Sequence, residues 1–438
     1  MKGKMLSMVL CAAVVLGALV IPGDVQASEG DVVEIQFTHT AWVPEQLEIL
    51  EKAIADFEAE NPGIKIIETR SSWTDAPSQI MTSIVSGTAP DLIMCNPTML
   101  AEYRGMGALT DLSGYISEEF MDTLLPIAKD MVTTEDGKID GLPQEGCTYA
   151  LFYRKDLFEE AGLDPEKPPK TIEEFLEYAK ALTKDTDGDG VIDQYGYAWP
   201  VQAENACNYW SNFMQMYGAE ISSYEDGVWK SKLSDETAMA GTQFMVDLVR
   251  EYKVTPEGVV DYDWEAVANA FVSGEIAMMH NGAWVTDSVA EKGPDLEGKW
   301  ATAVLFSGPE TAYRGHPNTF NILEASEHKE EAWKFLDYFY NTPSDVEGLT
   351  IAGAFCNAAG GMLFTEDFLE YARNNYNDKL QPFLDAVDGS KIPPLDPSWQ
   401  SLTSMYGTSM VQEMLMGSVT VEEGMATLDA EFKELHGE

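Results

Sequence analysis

Basic residues are scarce in this 438-residue chain: 27 Lys and Arg stand against 74 Asp and Glu, a formal charge of −47. No basic run interrupts the acids, so sequence-independent nucleic-acid binding has no electrostatic footing, and attraction to anionic membrane surfaces is weakened. Cysteine is sparse too, five residues with no Cys-x-x-Cys and no close Cys/His spacing, which argues against a zinc site. The five histidines, His39, His280, His316, His328 and His436, are isolated from one another. Also missing are a Gly-x-Ser-x-Gly elbow, a His-Glu-x-x-His helix, a P-loop and a Gly-x-Gly-x-x-Gly turn. No solenoid repeat and no long low-complexity linker is present, so separate cores must be joined by short structured crossings.

What is present is apolar material: 45% hydrophobic and 11% aromatic residues, enough at this length for two or three cores or one large α/β unit. Lys2 and Lys4 precede an apolar stretch from Met5 to Ile21, and Val25-Gln26-Ala27 supplies a small-residue cleavage site, so residues 1–27 read as a secretory signal. Cys11 does not suit lipid attachment, since bulky Leu10 precedes it. Cleavage removes two Lys and one Asp, leaving 25 − 73 = −48. No apolar run of membrane-spanning length recurs afterwards, so the mature chain is expected to be soluble and exported, periplasmic or at the cell surface. Export permits disulfides, but Cys95, Cys147, Cys207 and Cys356 allow three pairings that the sequence cannot rank; small buried residues are the other reading.

Val33, Ile35 and Phe37 alternate as a half-buried strand does, and Leu47, Leu50, Ile54 and Phe57 then recur at helical spacing until Asn61-Pro62-Gly63 stops them. A second strand is predicted at Ile64–Thr69, a helix around Ile80–Val85 ending at Gly87, and a third strand at Pro90–Met94. Alternating strands and helices call for parallel pairing with right-handed crossovers, hence an α/β fold. Farther on, Thr171-Ile172-Glu173-Glu174 is a capping box, residues 235–252 form a helix capped by Ser234, Ile276–Met279 and Ala301–Phe306 are buried strands, and Glu330–Tyr340 is an amphipathic helix stopped by Asn341-Thr342-Pro343.

Several segments, in order, resemble the extracellular solute-binding proteins of ABC importers, in particular their sugar-binding group, which includes the maltose-binding and glycerol-3-phosphate-binding proteins. They are Ser86-Gly87-Thr88-Ala89-Pro90-Asp91-Leu92, Gly107 to Leu112, Gly141-Leu142-Pro143, Ala150 to Phe158, Ala161-Gly162-Leu163-Asp164, Thr171 to Phe175, Asp187-Gly188-Asp189-Gly190 before Gln194-Tyr195-Gly196, Ala270 to Met278, and Gly282-Ala283-Trp284. The resemblance spans roughly residues 80–340. It implies two α/β lobes joined by a hinge of three chain crossings, in a periplasmic-binding-protein-like fold. The crossings are expected near Leu142–Glu145, Ser307–Glu310 and Gly353–Asn357, where Gly and Pro cluster. Lobe I would then comprise 28–142 plus 309–355, and lobe II, the more helical, 143–308 plus 356–438. The resemblance further implies a sugar or oligosaccharide guest, a membrane permease as partner, no required cofactor and no catalysis; the chain is expected to be a monomer.

A carbohydrate offers flat C–H faces and a rim of hydroxyls, so its site wants aromatic plates with carboxylates and amides between them. In open α/β sheets ligands collect beyond the carboxyl ends of strands. Trp42, Trp73 and Asn96 follow the first three strands. Glu145 and Tyr149 flank the first crossing, Trp199 and Trp210 surround the polar segment with Asn205 and Asn208, and Trp284 takes the family's Gly-x-Trp position. Asn357 at the third crossing and Trp399 in the Pro-rich stretch Ile392–Trp399 complete the candidates. Apart from Trp284, each has a core position as its competing reading.

Asp185, Asp187, Asp189 and Asp193 have the spacing of an EF-hand-like loop, with Val191 where a backbone carbonyl would bind, so a structural Ca²⁺ is one reading. Gly196 replaces the bidentate acid of such loops, and a solvated acidic turn is the alternative. Two other functions compete with the sugar receptor. A secreted glycoside hydrolase would use paired carboxylates. A glycerophosphodiester receptor would need cations such as Arg70, Arg314 or Lys391 in its cleft.

Overall fold

The computed structural model describes residues 32–202 and 205–437; the signal segment 1–27, with Cys11, lies outside them. Among the described residues eleven strands form, nine of them in one long sheet. They are β1 (Val33–His39), β2 (Ile64–Arg70), β3 (Leu92–Cys95), β4 (Leu142–Arg154), β5 (Tyr195–Ala198), β6 (Ser222–Glu225), β7 (Val228–Ser231), β8 (Ile276–Gly282), β9 (Trp300–Val304), β10 (Tyr313–Ile322) and β11 (Ser390–Lys391). The sheet runs β2-β1-β3-β10-β4-β8-β5, with β11 added to β10 and β9 to β4, while β6 and β7 make a separate hairpin.

β1 pairs in parallel with β2 and β3 because a helix returns the chain each time. The first such helix, Pro44–Glu60, buries Leu50, Ile54 and Phe57 and stops at Asn61, as its periodicity predicts. Both faces of this half-sheet are covered. Leu92 and Met94 of β3 enter one core with Phe37 and Phe335, whereas Ile93 and Cys95 enter another with Ile80, Met99 and Tyr103. Those two cores make the first lobe. The second lobe has one large core around β5, β8 and β9. Thr171 caps the helix Ile172–Leu182 as predicted, and Glu174 turns to the Lys170 N–H. The helix expected at 235–252 spans Glu236–Arg250 and begins at Asp235, with no side-chain cap.

Two long strands connect the lobes. Residues 142–146 of β4 pair with β10 in the first lobe, and residues 149–154 pair with β8 and β9 in the second. Gly146 sits where the two crossing strands approach most closely: a Cβ there would meet the His316 carbonyl oxygen at 2.0 Å. The first crossing thus starts where it was expected, but the others do not. Ser307–Glu310 belongs to the second lobe, tied by Ser307 N–H to the Lys170 carbonyl and Glu310 N–H to that of Met216. The second crossing is β10 itself, a hydrogen-bonded strand rather than a Gly-Pro loop. Gly353–Asn357 lies in the helix Ile351–Ala358, packed in the first lobe's core. There the small residues give helix packing, not a hinge.

Residues up to Ala372 stay with that core, and the third crossing comes later: Phe383 joins the second lobe's core, its neighbour Leu384 the first's, and Trp399 the second's. Cys95, Cys147, Cys207 and Cys356 are all buried and unpaired, so none of the three disulfide pairings forms. No helix among the described residues is long and apolar enough to cross a membrane.

Candidate functional site

Strand β4 is the spine of the site. Its side chains alternate, so Glu145, Cys147 and Tyr149 share one face, with about 13 Å of strand from Glu145 to Tyr149. At the Glu145 end this face meets the first lobe, where Gln46 Nε2 donates to Glu145 Oε2 at 2.8 Å. At the Tyr149 end it meets the second, where the Trp284 ring lies edge-on at 5.6 Å and the Tyr209 ring at 5.3 Å. Trp284 follows the last residue of β8 and folds back over it. A Cβ on Gly282 would come within 2.1 Å of the indole, so only glycine allows this ring position.

Trp42 follows β1 and is 43% exposed, the most open of the candidate aromatic residues. Its carbonyl accepts from Arg70 Nη2 at 3.4 Å. Trp73 follows β2 and is partly buried between the first lobe's two cores. Asn96 is committed to structure: its Oδ1 accepts the Met99 N–H at 2.9 Å and the Thr98 hydroxyl at 2.8 Å, capping the helix Pro97–Gly105. Asn357 is half-buried in the last turn of the helix Ile351–Ala358.

Trp199 and Trp399 stand apart from the rim. They are 0% and 1% exposed in the second lobe's core, Trp199 packed on Phe213 and Tyr197, Trp399 stacked on Trp210 at 5.9 Å. The helix Asn205–Met216 lies over the end of β5, so a strand-end position that looked open from sequence is sealed.

Buried polar atoms gather around the same strands. His39 Nδ1 and Nε2, Thr40 Oγ1, His280 Nε2, Asn281 Nδ2 and Arg314 Nε have no hydrogen-bond partner among the described residues. His39 lies 3.6 Å from the Glu68 carboxylate. Arg314, on β10, is buried without a carboxylate partner among the described residues. Its Nη2 donates to Asn208 Oδ1 at 2.9 Å, its Nη1 reaches Ser211 Oγ at 3.4 Å, and its guanidinium lies 5.6 Å over the Tyr149 ring. Burial, then the Arg314 charge, depresses the imidazoles of His280 and His316 to about 3; burial, then Arg70, depresses His39 to about 4. Burial raises the Glu145 carboxyl to about 6, opposed by the amides of Gln46 and Gln144. At neutral pH the site therefore offers aromatic faces, neutral imidazoles, amides and a carboxylate, a set suited to hydroxyl groups.

In the acidic loop, carboxylate oxygens of Asp185, Asp187 and Asp193 lie within 4.8 Å of one another, and Asp189 is not among them. Asp185 accepts the N–H groups of Gly188 and Gly190 at 2.6 and 2.7 Å, Asp189 that of Val191 at 2.8 Å, and Asp193 the Thr186 hydroxyl at 2.7 Å. These Asx-type bonds help hold the loop's shape.

Among the participants, Tyr149 is a candidate from sequence with a core position as its favoured competing reading, and Arg314 is named there only as an available cation. Gln46 leaves one trace, a Gln in the first turn of a helix whose start, Val43-Pro44, offers no capping side chain.

Residues 41–345 match the family described as bacterial extracellular solute-binding protein. A binding protein of Brucella abortus is 26% identical over 416 residues, covering 93% of this chain and 95% of that one. The maltotriose-binding protein of Pyrococcus abyssi is 23% identical over 310 residues, 70% of this chain and 63% of that one. Among solved structures, an ABC substrate-binding protein of Listeria monocytogenes in complex with cycloalternan superimposes with a TM-score of 0.75 at 22% identity, covering 93% of this chain and all of that one.

Proposed function

We propose that this chain, which belongs to the family of bacterial extracellular solute-binding proteins, captures a sugar or oligosaccharide between its lobes and delivers it to the membrane permease of an ABC importer. One observation carries the sugar reading. The rims of the two lobes are anchored to the same face of the first crossing, Trp42 through Gln46 and Glu145, Trp284 through Tyr149. An extended guest stacked on one indole would lie along β4 and reach the other lobe. Support comes from similar proteins, one a maltotriose-binding protein and one in complex with cycloalternan.

A guest that bridges both lobes gains contacts that exist only when they close, and that difference in affinity shifts the population toward the closed form. Selectivity follows from hydrogen-bond count, since a missing hydroxyl leaves a buried group unpaired at about 1–3 kcal/mol. Export places the protein outside the cytoplasm, and the permease reads the closed surface. The function is binding without turnover. A phosphorylated guest is disfavoured, because Arg314 is already engaged by Asn208, Ser211 and His316.

A panel of neutral and phosphorylated oligosaccharides, screened by thermal shift and tryptophan fluorescence, should yield one or a few neutral stabilising ligands. Steady release of product from a bound sugar, abolished by changing one acid, would replace the receptor with a hydrolase. Stabilisation by phosphorylated sugars alone would replace the guest class.

A further inference from the structure

Gln46 is placed unusually for a polar side chain. It lies in the first turn of the helix Pro44–Glu60, is fully buried, and joins three segments of chain. Its Oε1 accepts the Trp42 N–H at 3.4 Å, and its Nε2 donates to Glu145 Oε2 at 2.8 Å and to the Phe355 carbonyl at 3.3 Å. The first bond has a local cause. Val43, at the helix start, has no side-chain oxygen, so a Gln three residues on turns back to the preceding backbone, as in one half of a capping box. The other two bonds have no local cause: they reach the first crossing and the helix Ile351–Ala358.

Glu145 decides which way this amide points. No Lys or Arg forms an ion pair with it among the described residues. The titratable groups around it are Cys147 on its own strand, Cys356 of the helix Ile351–Ala358 and Tyr376, with His316 of β10 opposite Cys147. As a carboxylate it only accepts, so Gln46 must present Nε2 to it and Oε1 to Trp42. The Trp42 backbone is thereby held at both its N–H and, through Arg70, its carbonyl, while the indole stays exposed.

We propose that Gln46 is a positioning residue for guest binding: its one amide locks the exposed Trp42 to Glu145, so that the first lobe's rim and the first crossing move as one piece. The role in binding rests on the sugar reading of the cleft; the lock itself can be tested without any guest.

The measurement is hydrogen exchange at the Trp42 and Val43 amides in the unliganded protein, each variant compared with the wild type at the same pH. Gln46→Glu sets two carboxylates against each other, and exchange should quicken on the order of tenfold at pH 8, less at pH 5.5, where the pair shares a proton. The double variant Gln46→Glu with Glu145→Gln reverses the pair: the amide at 145 donates to one carboxylate oxygen at 46 while the other accepts the Trp42 N–H, and only the longer bond to the Phe355 carbonyl is lost. Protection should return to within about threefold of the wild type. A residue that merely fills space would show neither the pH dependence nor the rescue. Should Gln46→Glu not fold, Glu145→Leu removes the acceptor and should quicken exchange at Trp42 alone.

Unchanged exchange in both single variants, or no rescue by a folded double variant, overturns the lock. If the double variant restores protection but no sugar in the panel binds the wild type, the lock stands and the sugar reading falls.

Discussion

The two lobes use tryptophan in opposite ways. The first puts Trp42 just past the end of a strand, its backbone held by Gln46 and Arg70 and the residue 43% exposed. The second puts Trp199 at the end of a strand as well, yet a helix lies over it and exposure is 0%. Trp210 and Trp399, stacked on each other, are sealed in the same core. A strand-end position therefore does not make a binding residue. What covers that end does, for both lobes bury polar groups alike, His39 in the first and His280 in the second.

The largest effect that could break this contrast is in stability. Replacing Trp199 or Trp399 by Ala should cost about 3–5 kcal/mol in urea unfolding, whereas Trp42→Ala should stay within about 0.5 kcal/mol. Equal costs would mean that the two lobes do not differ as described.

Acid should open the second lobe first. Its buried His280, like His316 on the crossing strand β10, titrates near 3 when folded against an ordinary value of 6.5, so the unfolded chain binds protons more tightly. Stability present above pH 6.5 is then lost as the pH falls toward 3. His280→Gln should flatten that slope, and hydrogen exchange at pH 5 should show β8 losing protection before β1. The reverse order would place the acid-sensitive element in the first lobe, at His39.

Gly282→Ala sharpens the comparison at the rim. The new methyl displaces the Trp284 indole, so affinity for an oligosaccharide found in the screen should fall about tenfold, by calorimetry, with the far-UV spectrum unchanged. Intact affinity would remove Trp284 from the site. The smallest effect is expected at the acidic loop: because its own Asx bonds hold it, exchanging Ca²⁺ for a chelator should move the melting temperature by no more than about 2 °C. A larger shift would make the cation structural.

Much of the first lobe is legible in the sequence. The alternation of Val33, Ile35 and Phe37, the helical spacing from Leu47 to Phe57 and the stop at Asn61 depend on local periods, and they reappear as β1 and the helix after it. The crossings were less legible. Gly and Pro near 307–310 and the small residues near 353–357 are hinge-like in composition, but the Gly and Pro at the second crossing are Gly315 and Pro317, inside β10 where it pairs with Thr148 and Gly146 of β4. Of the candidate site residues, Trp42, Glu145 and Trp284 come together along β4, Trp73 and Asn357 are half-buried, Asn357 next to Cys356, whose thiol reaches the Gln144 carbonyl, and Asn96, Trp199 and Trp399 serve caps and cores.

By itself the sequence determined the α/β class, the acidic surface and the order of framework segments that marks the family, because periodicity, charge and short motifs are properties of neighbours along a chain. Only the tertiary structure decided which indoles stay open, where the chain passes between lobes, and that Gln46 faces Glu145. The last depends on a contact between residues 99 positions apart, and burial of a side chain is settled by whichever segment packs across it, near or far in the chain, as Phe213 does over Trp199.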